Sequence, residues 1–201
     1  MDTSLEHVHE EHVHGLEPHV LVRRAQAGIL LLIASDALAV LAILAGGGYL
    51  SALNTENAFK VAGDFAPSLV PGLLSMIGLV LSGIAYFLWA RRAGRAGQTG
   101  QTAFLLLALV LMLASGIVET WLGAGLKYGI PISAYESVLL LITWFTAVHL
   151  LFTAVIGVLL WGRVLRGRIA GREFIVEVTG YWWYYTVIAS LLLWLFGVFF
   201  A

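Results

Sequence analysis

Apolar positions along the chain gather into five long runs, at about residues 26–53, 68–90, 102–125, 134–162 and 179–201. Each reaches the roughly 20 residues that a helix needs to cross a hydrocarbon core about 30 Å thick. Helix is the expected form, because backbone polar groups in lipid must be satisfied within their own segment. The pattern predicts an all-α integral membrane protein with five transmembrane helices. Residues 1–25 form a polar tail and residues 26–201 the membrane domain. Gly46, Gly47 and Gly48 stand towards the end of the first run, where a bend or a frayed end is tolerable. Pro67 and Pro71 flank the start of the second run and Pro131 precedes the fourth, all natural boundary positions. The first 24 residues lack the apolar core of a cleavable signal, so none is expected.

Basic residues beside the runs set an orientation. Arg23 and Arg24 precede the first run, Arg91, Arg92 and Arg95 follow the second, and Arg163, Arg166, Arg168 and Arg172 follow the fourth. The remaining two loops hold only Lys60 and Lys127. Every arginine therefore falls on one side, expected to be the cytoplasm. That places the N-terminus inside and the C-terminus outside.

Composition narrows the partners. Hydrophobic residues make up 60% and charged residues 11%, with mean hydropathy +0.92. Soluble domains carry roughly 25% charged residues, so too little polar surface exists here to coat a soluble globule. A net charge of −1 argues against nucleic acid as a partner. The absence of cysteine removes disulfides, thiolate metal sites, covalent haem attachment and thiol catalysis together.

The tail carries His7, His9, His12, His14 and His19 among Glu6, Glu10, Glu11 and Glu17, with HVHEEHVH as a near-repeat. Imidazoles and carboxylates at short spacing can hold zinc, copper or nickel. A solvated acidic tail with incidental histidines is the favoured reading, since the segment is too polar to fold alone.

Polar groups inside the runs carry more information, because each is expensive in lipid and commonly functional. Asp36 lies about ten residues into the first run, about 15 Å deep at 1.5 Å per residue. His149, the only histidine outside the tail, lies about 20 Å from the end of the fourth run on the same measure. The two share a similar depth on different helices. Asp36 is either a group that handles protons or a protonated structural group bonded to Ser35, His149 or a carbonyl. His149 reads as an interhelical hydrogen-bonder before it reads as a metal ligand. One membrane histidine can neither ligate a haem on both faces nor build a three-histidine copper site, so no metal or redox centre is expected in this chain. Glu119 and Glu136 fall near the outer ends of the third and fourth runs, where interfacial water is expected to reach them, and Glu177 precedes the fifth.

These residues resemble a family. The first run, GILLLIASDALAVLAIL, is similar to the opening helix of the five-helix subunit III of haem-copper oxidases, where a W-x-F-L-x-S-D/E run carries the membrane carboxylate; Asp36 falls on that position. The fourth run, TWFTAVHLLFTAVIGVLLWGR, resembles the family's T-G-F-H-G-L-H-V-I-I-G segment, with Thr143, Phe145 and His149 matching and Arg163 at the spacing of its closing arginine. Tyr135 precedes Thr143 at the family's spacing. Tyr181-Trp182-Trp183-Tyr184 looks like its Y-W-H-F-V-D motif, and Glu119-Thr120-Trp121 like the acidic-aromatic end of its third helix. The chain departs from the pattern at Thr146 and Trp183, where the family has histidines, and at Thr186, where it has aspartate.

The resemblance implies a non-catalytic subunit of a respiratory terminal oxidase of the cytochrome c oxidase type, which reduces oxygen to water while pumping protons. It implies haem and copper in partner subunits I and II, with none in this chain. Subunits of this family support assembly, phospholipid binding and proton uptake, and reside in the cell membrane of a prokaryote. By the same analogy Asp36 is the membrane carboxylate with His149 as a candidate partner. Arg163 and Trp182 are implied to bind lipid, and Tyr181 and Glu119 to lie at a subunit interface. Two other readings stay open: a subunit III-like accessory protein of a nitric oxide reductase, and an unrelated five-helix transporter or scaffold. The absence of two similar halves argues against an inverted-repeat transporter.

Overall fold

The computed structural model describes residues 18–54, 59–61, 64, 69–93, 102–125, 133–169 and 173–199. Five helices hold nearly all of them: α1 Pro18–Ala52, α2 Leu69–Ala90, α3 Thr102–Gly125, α4 Ala134–Leu165 and α5 Phe174–Phe199. No strand occurs among the described residues. All five helices are long and apolar enough to cross a membrane, and the chain is a multi-pass membrane protein. His7, His9, His12 and His14 lie outside the described residues. Among those described, no three His, Asp or Glu side chains group as metal ligands would.

Three helices are longer than their apolar runs, α4 because it continues past 162 to Leu165. α1 begins at Pro18 instead of near residue 26, so the last part of the polar tail is helical. Proline is preorganised for a first helical turn, and Leu21 and Val22 then line a recess with α4 and α5. α5 begins at Phe174 instead of 179, with Val176 buried and Glu177 in its first turn. A carboxylate there is favoured by the partial positive charge of the helix N-terminus. α1 also runs unbroken through Gly46–Gly48. The reason lies in packing: a Cβ on Gly47 would sit 2.8 Å from the Phe196 ring and 3.1 Å from Val138. The glycine lets α1 come close to α4 and α5.

Helix ends are locally encoded. Ser133 caps α4, its hydroxyl accepting from the Glu136 N–H at 3.2 Å. At the other end Gly167 takes φ +64°, the Gly167 N–H reaches Val164 O at 3.0 Å, and the Arg168 N–H reaches Arg163 O at 2.9 Å. That is a Schellman motif, in which a left-handed glycine satisfies the orphan carbonyls of the last turn.

α2, α3, α4 and α5 form a four-helix bundle, with α5 closing against both α2 and α4. Small residues let α2 and α3 approach: Ser115 Oγ donates to Ser75 O at 2.9 Å and Ser82 Oγ to Ala108 O at 2.7 Å. The core centres on Trp183, stacked on Tyr86 at 4.8 Å between centroids. Its indole N–H donates to Ser82 Oγ at 3.2 Å. α1 packs outside this bundle, against α5 and α4. Only 6% of its most apolar stretch is buried, against 39–44% in the other four, so α1 is the peripheral helix. The described flanks Arg23, Arg91 and Arg163 share one end of the bundle, since α1 and α4 meet in one recess there and α2 and α5 in another.

Candidate functional site

The peripheral helix brings in the one acidic residue of its apolar stretch. Asp36 Oδ1 lies 2.9 Å from His149 Nε2 on α4, and the Tyr185 hydroxyl on α5 donates to Asp36 Oδ2 at 2.6 Å. The carboxyl and imidazole side chains are 17% and 15% exposed, so both are largely withdrawn into the contact between three helices. The two residues that sequence depth paired are in direct contact, and a phenol completes the cluster.

Hydrogen-bond chemistry limits what the pair can be. His149 Nδ1 lies 2.8 Å from Phe145 O. A carbonyl can only accept, so Nδ1 carries a proton. Nε2 then either accepts from a neutral Asp36 carboxyl or, in the imidazolium, donates to the carboxylate. In both arrangements Asp36 and His149 share a single proton and the pair has no net charge. An isolated carboxylate at this depth would cost several kcal/mol, and the pairing removes that cost in either form. The unit can therefore hold a proton inside the membrane domain and pass it between oxygen and nitrogen without creating net charge.

A second layer fixes the imidazole. Thr153 Oγ1 donates to His149 O at 2.8 Å, which uses its only proton. It must then accept from Trp182 Nε1 at 2.9 Å and from Thr186 Oγ1 at 3.0 Å. The His149 ring stacks on Phe145 at 4.1 Å and faces Trp182 at 6.0 Å. Tyr185 touches the Trp182 ring as well, at 5.7 Å. One face of α5 (Trp182, Tyr185, Thr186) thus supports one face of α4 (His149, Thr153), following the three- and four-residue spacing of helices. Tyr185 and Thr153 escaped sequence reasoning. The spacing His149–Thr153 is a weak signal for the second, and nothing in the sequence says which face of the aromatic run on α5 meets Asp36.

Other expected site residues are placed apart. Arg163 is exposed and lines a recess of about 840 Å³ with Leu21 and Val22 of α1 and Phe174 of α5. No carboxylate pairs with it among the described residues. Trp182 does not join it there: it is 3% exposed and its indole N–H is taken by Thr153, so it offers no face to a lipid. Glu119 is 5% exposed, inside the bundle and away from the water-reached edge that its place near a helix end suggested. Its Oε1 has no partner among the described residues. A carboxyl so enclosed does not offer itself to a partner subunit. Tyr181 is exposed, and its hydroxyl donates to Glu177 Oε1. Where the resemblance has histidine, Trp183 fills the core; where it has aspartate, Thr186 bonds to Thr153. No protein-family model and no curated protein matches this sequence.

Proposed function

We propose that this chain is a redox-centre-free, subunit III-like component of a respiratory terminal oxidase of the cytochrome c oxidase type, in the cell membrane of a prokaryote. The Asp36–His149 contact carries the reading. The resemblance rests on Asp36, His149, Arg163 and Tyr181-Trp182, and the first two, 113 residues apart, meet at 2.9 Å. Oxygen reduction and proton pumping are assigned to partner subunits I and II, which hold the haem and copper. The role assigned to this chain is assembly, lipid binding and support of proton uptake. The neutral, proton-sharing pair suits such a role, because it keeps an exchangeable proton in the membrane at little electrostatic cost. Arg163, exposed beside an apolar recess, suits a phosphate anchor, since a guanidinium binds phosphate in a bidentate manner.

The test is purification of the tagged full chain from its native membranes. The expected result is co-purification with a many-helix subunit whose optical spectrum has a Soret band, while the separated chain has none. A haem-free particle active in transport would overturn the proposal, as would co-purification with a nitric oxide reductase catalytic subunit.

A further inference from the structure

Glu119 is the one buried carboxyl among the described residues, 5% exposed. It stands on α3 six residues before Gly125, and Ser75 stands on α2 six residues after Leu69. At 1.5 Å per residue both lie about 9 Å inside the end opposite the arginines. Ser115 precedes Glu119 by one helical turn and shares its face of α3. Both serines are buried as well. They clamp α2 to α3: Ser115 Oγ donates to Ser75 O at 2.9 Å, and Ser75 Oγ lies 3.4 Å from Ser115 O. The Ser75 hydroxyl also reaches the Glu119 carboxyl.

Acceptor oxygens outnumber protons in this cluster. Ser115 has used its hydroxyl proton on Ser75 O, and the single Ser75 proton has two claimants, Ser115 O and the carboxyl. Whichever takes it, Glu119 Oε1 has no donor among the described residues. Among those residues no Lys, Arg or His pairs with the carboxyl, and no charged group on α2, α4 or α5 acts on it. A proton on the carboxyl neutralises its charge and serves one oxygen at most. A metal ion can bind both. From this geometry we infer that Glu119, Ser75 and Ser115 form a binding site for one sodium ion between α2 and α3, held by carboxylate and hydroxyl oxygens. A hard cation takes oxygen ligands and needs neither histidine nor thiolate. One carboxylate balances one positive charge, whereas a divalent ion would leave net charge inside the membrane. The close approach of α2 and α3 limits size, since a Cβ on Gly78 would lie 3.1 Å from Ser115 Oγ. That favours sodium over potassium. Binding displaces the carboxyl proton: one Na⁺ enters as one H⁺ leaves, and the site stays neutral. The site stands on this chain's own residues, whatever complex the chain joins.

The experiment is thermal unfolding of the full chain in detergent, with any subunits that accompany it, in sodium, potassium or choline chloride at equal ionic strength. Sodium should raise the unfolding temperature saturably, by about 3–6 °C at ten times its half-saturating concentration, and potassium should need about tenfold more. The half-saturating concentration should fall about tenfold per pH unit while the carboxyl of the ion-free protein is protonated, because one proton leaves per ion. Glu119→Gln, of equal size, should abolish the response, and Ser75→Ala should weaken it. Ser82→Ala removes a bond between α2 and α3 outside the site, so it should lower stability and keep the sodium response. A second readout needs no variant. Sodium added to the weakly buffered protein should release up to one proton per chain, and potassium at the same concentration far less. No difference between sodium and choline overturns the inference and leaves Glu119 a protonated acid. So does an equal response to potassium, a response that survives in Glu119→Gln, or sodium binding without proton release. Saturation by calcium below the sodium concentration would overturn the monovalent assignment.

Discussion

A carboxyl within the apolar stretch of a membrane helix must find a proton or a partner, and Asp36 finds both in His149. Interhelical hydrogen bonds in membranes average about 0.6 kcal/mol in double-mutant cycles, while bonds to charged groups reach about 1.5–3 kcal/mol. A cycle of Asp36→Leu and His149→Leu, followed by thermal unfolding in detergent, should give a coupling above about 1 kcal/mol, between those two scales. A coupling near zero would mean that the contact contributes nothing to the fold. Asp36→Asn keeps a donor for Nε2 and an acceptor for Tyr185, so stability and subunit association should survive. Labelling by a hydrophobic carbodiimide, which needs a carboxylic acid, should be lost. If Asp36→Asn abolished oxygen reduction in an intact complex, the carboxyl would be catalytic and the supporting role assigned here wrong. Nitrogen-15 spectra of His149 offer an independent check. Nδ1 should be protonated, because its one hydrogen-bond neighbour among the described residues is the Phe145 carbonyl. A bare Nδ1 would contradict the single shared proton.

At the scale of the helix, glycine decides how closely elements meet. A Cβ at Gly157 of α4 would lie 2.9 Å from the Trp183 ring and 3.0 Å from Leu109. Both neighbours are buried, so neither can move freely. Gly157→Ala should therefore cost about 1–3 kcal/mol by overpacking, read as a lower unfolding temperature. Gly162, further along α4, faces open space: a Cβ there would meet nothing within 4 Å. Gly162→Ala should leave the unfolding temperature unchanged or raise it, since alanine is the better helix former. Equal effects at both sites would show that backbone freedom and not packing controls these positions. The indole of Trp182 provides a third case. Trp182→Phe keeps the stack on His149 but leaves Thr153 without one donor, and should cost about 1 kcal/mol.

For the whole molecule, the five membrane-spanning helices among the described residues predict termini on opposite sides of the membrane. The described arginine flanks gather at the end where α1 and α5 begin and α2 and α4 finish. The positive-inside rule predicts that this end faces the cytoplasm. Fusions of alkaline phosphatase, active only outside, should be inactive at the N-terminus and active at the C-terminus, with the reverse for a fluorescent reporter that matures only inside. An active phosphatase at the N-terminus would invert the assignment. The same view sets α1 apart. It contributes Asp36 yet leaves most of its apolar surface uncovered by the rest of the chain. Asp36→Leu should therefore weaken the attachment of α1 while the α2–α5 bundle stays folded, measurable as faster proteolysis at the α1–α2 connection.

The sequence by itself determined the number of helices, their approximate extents and the presence of a carboxyl and an imidazole at matching depth. Those are properties of run length and position along one chain, and a helix converts position into depth at a fixed rise. The caps escaped sequence reasoning, although Ser133 before α4 and Gly167 after it act only on backbone groups a few residues away. Tertiary structure alone decided which faces turn inward. In a soluble helix polarity marks the outer face, but in lipid both the core and the surroundings are apolar, and the pattern loses that mark. Rotation was set instead by shape, with Gly47 admitting Phe196 and Gly157 admitting Trp183. Those fits turned Tyr185 towards Asp36, drew Trp182 and Glu119 inside and left Tyr181 and Arg91 on an outer recess, because complementarity between distant side chains is not a local property of the sequence.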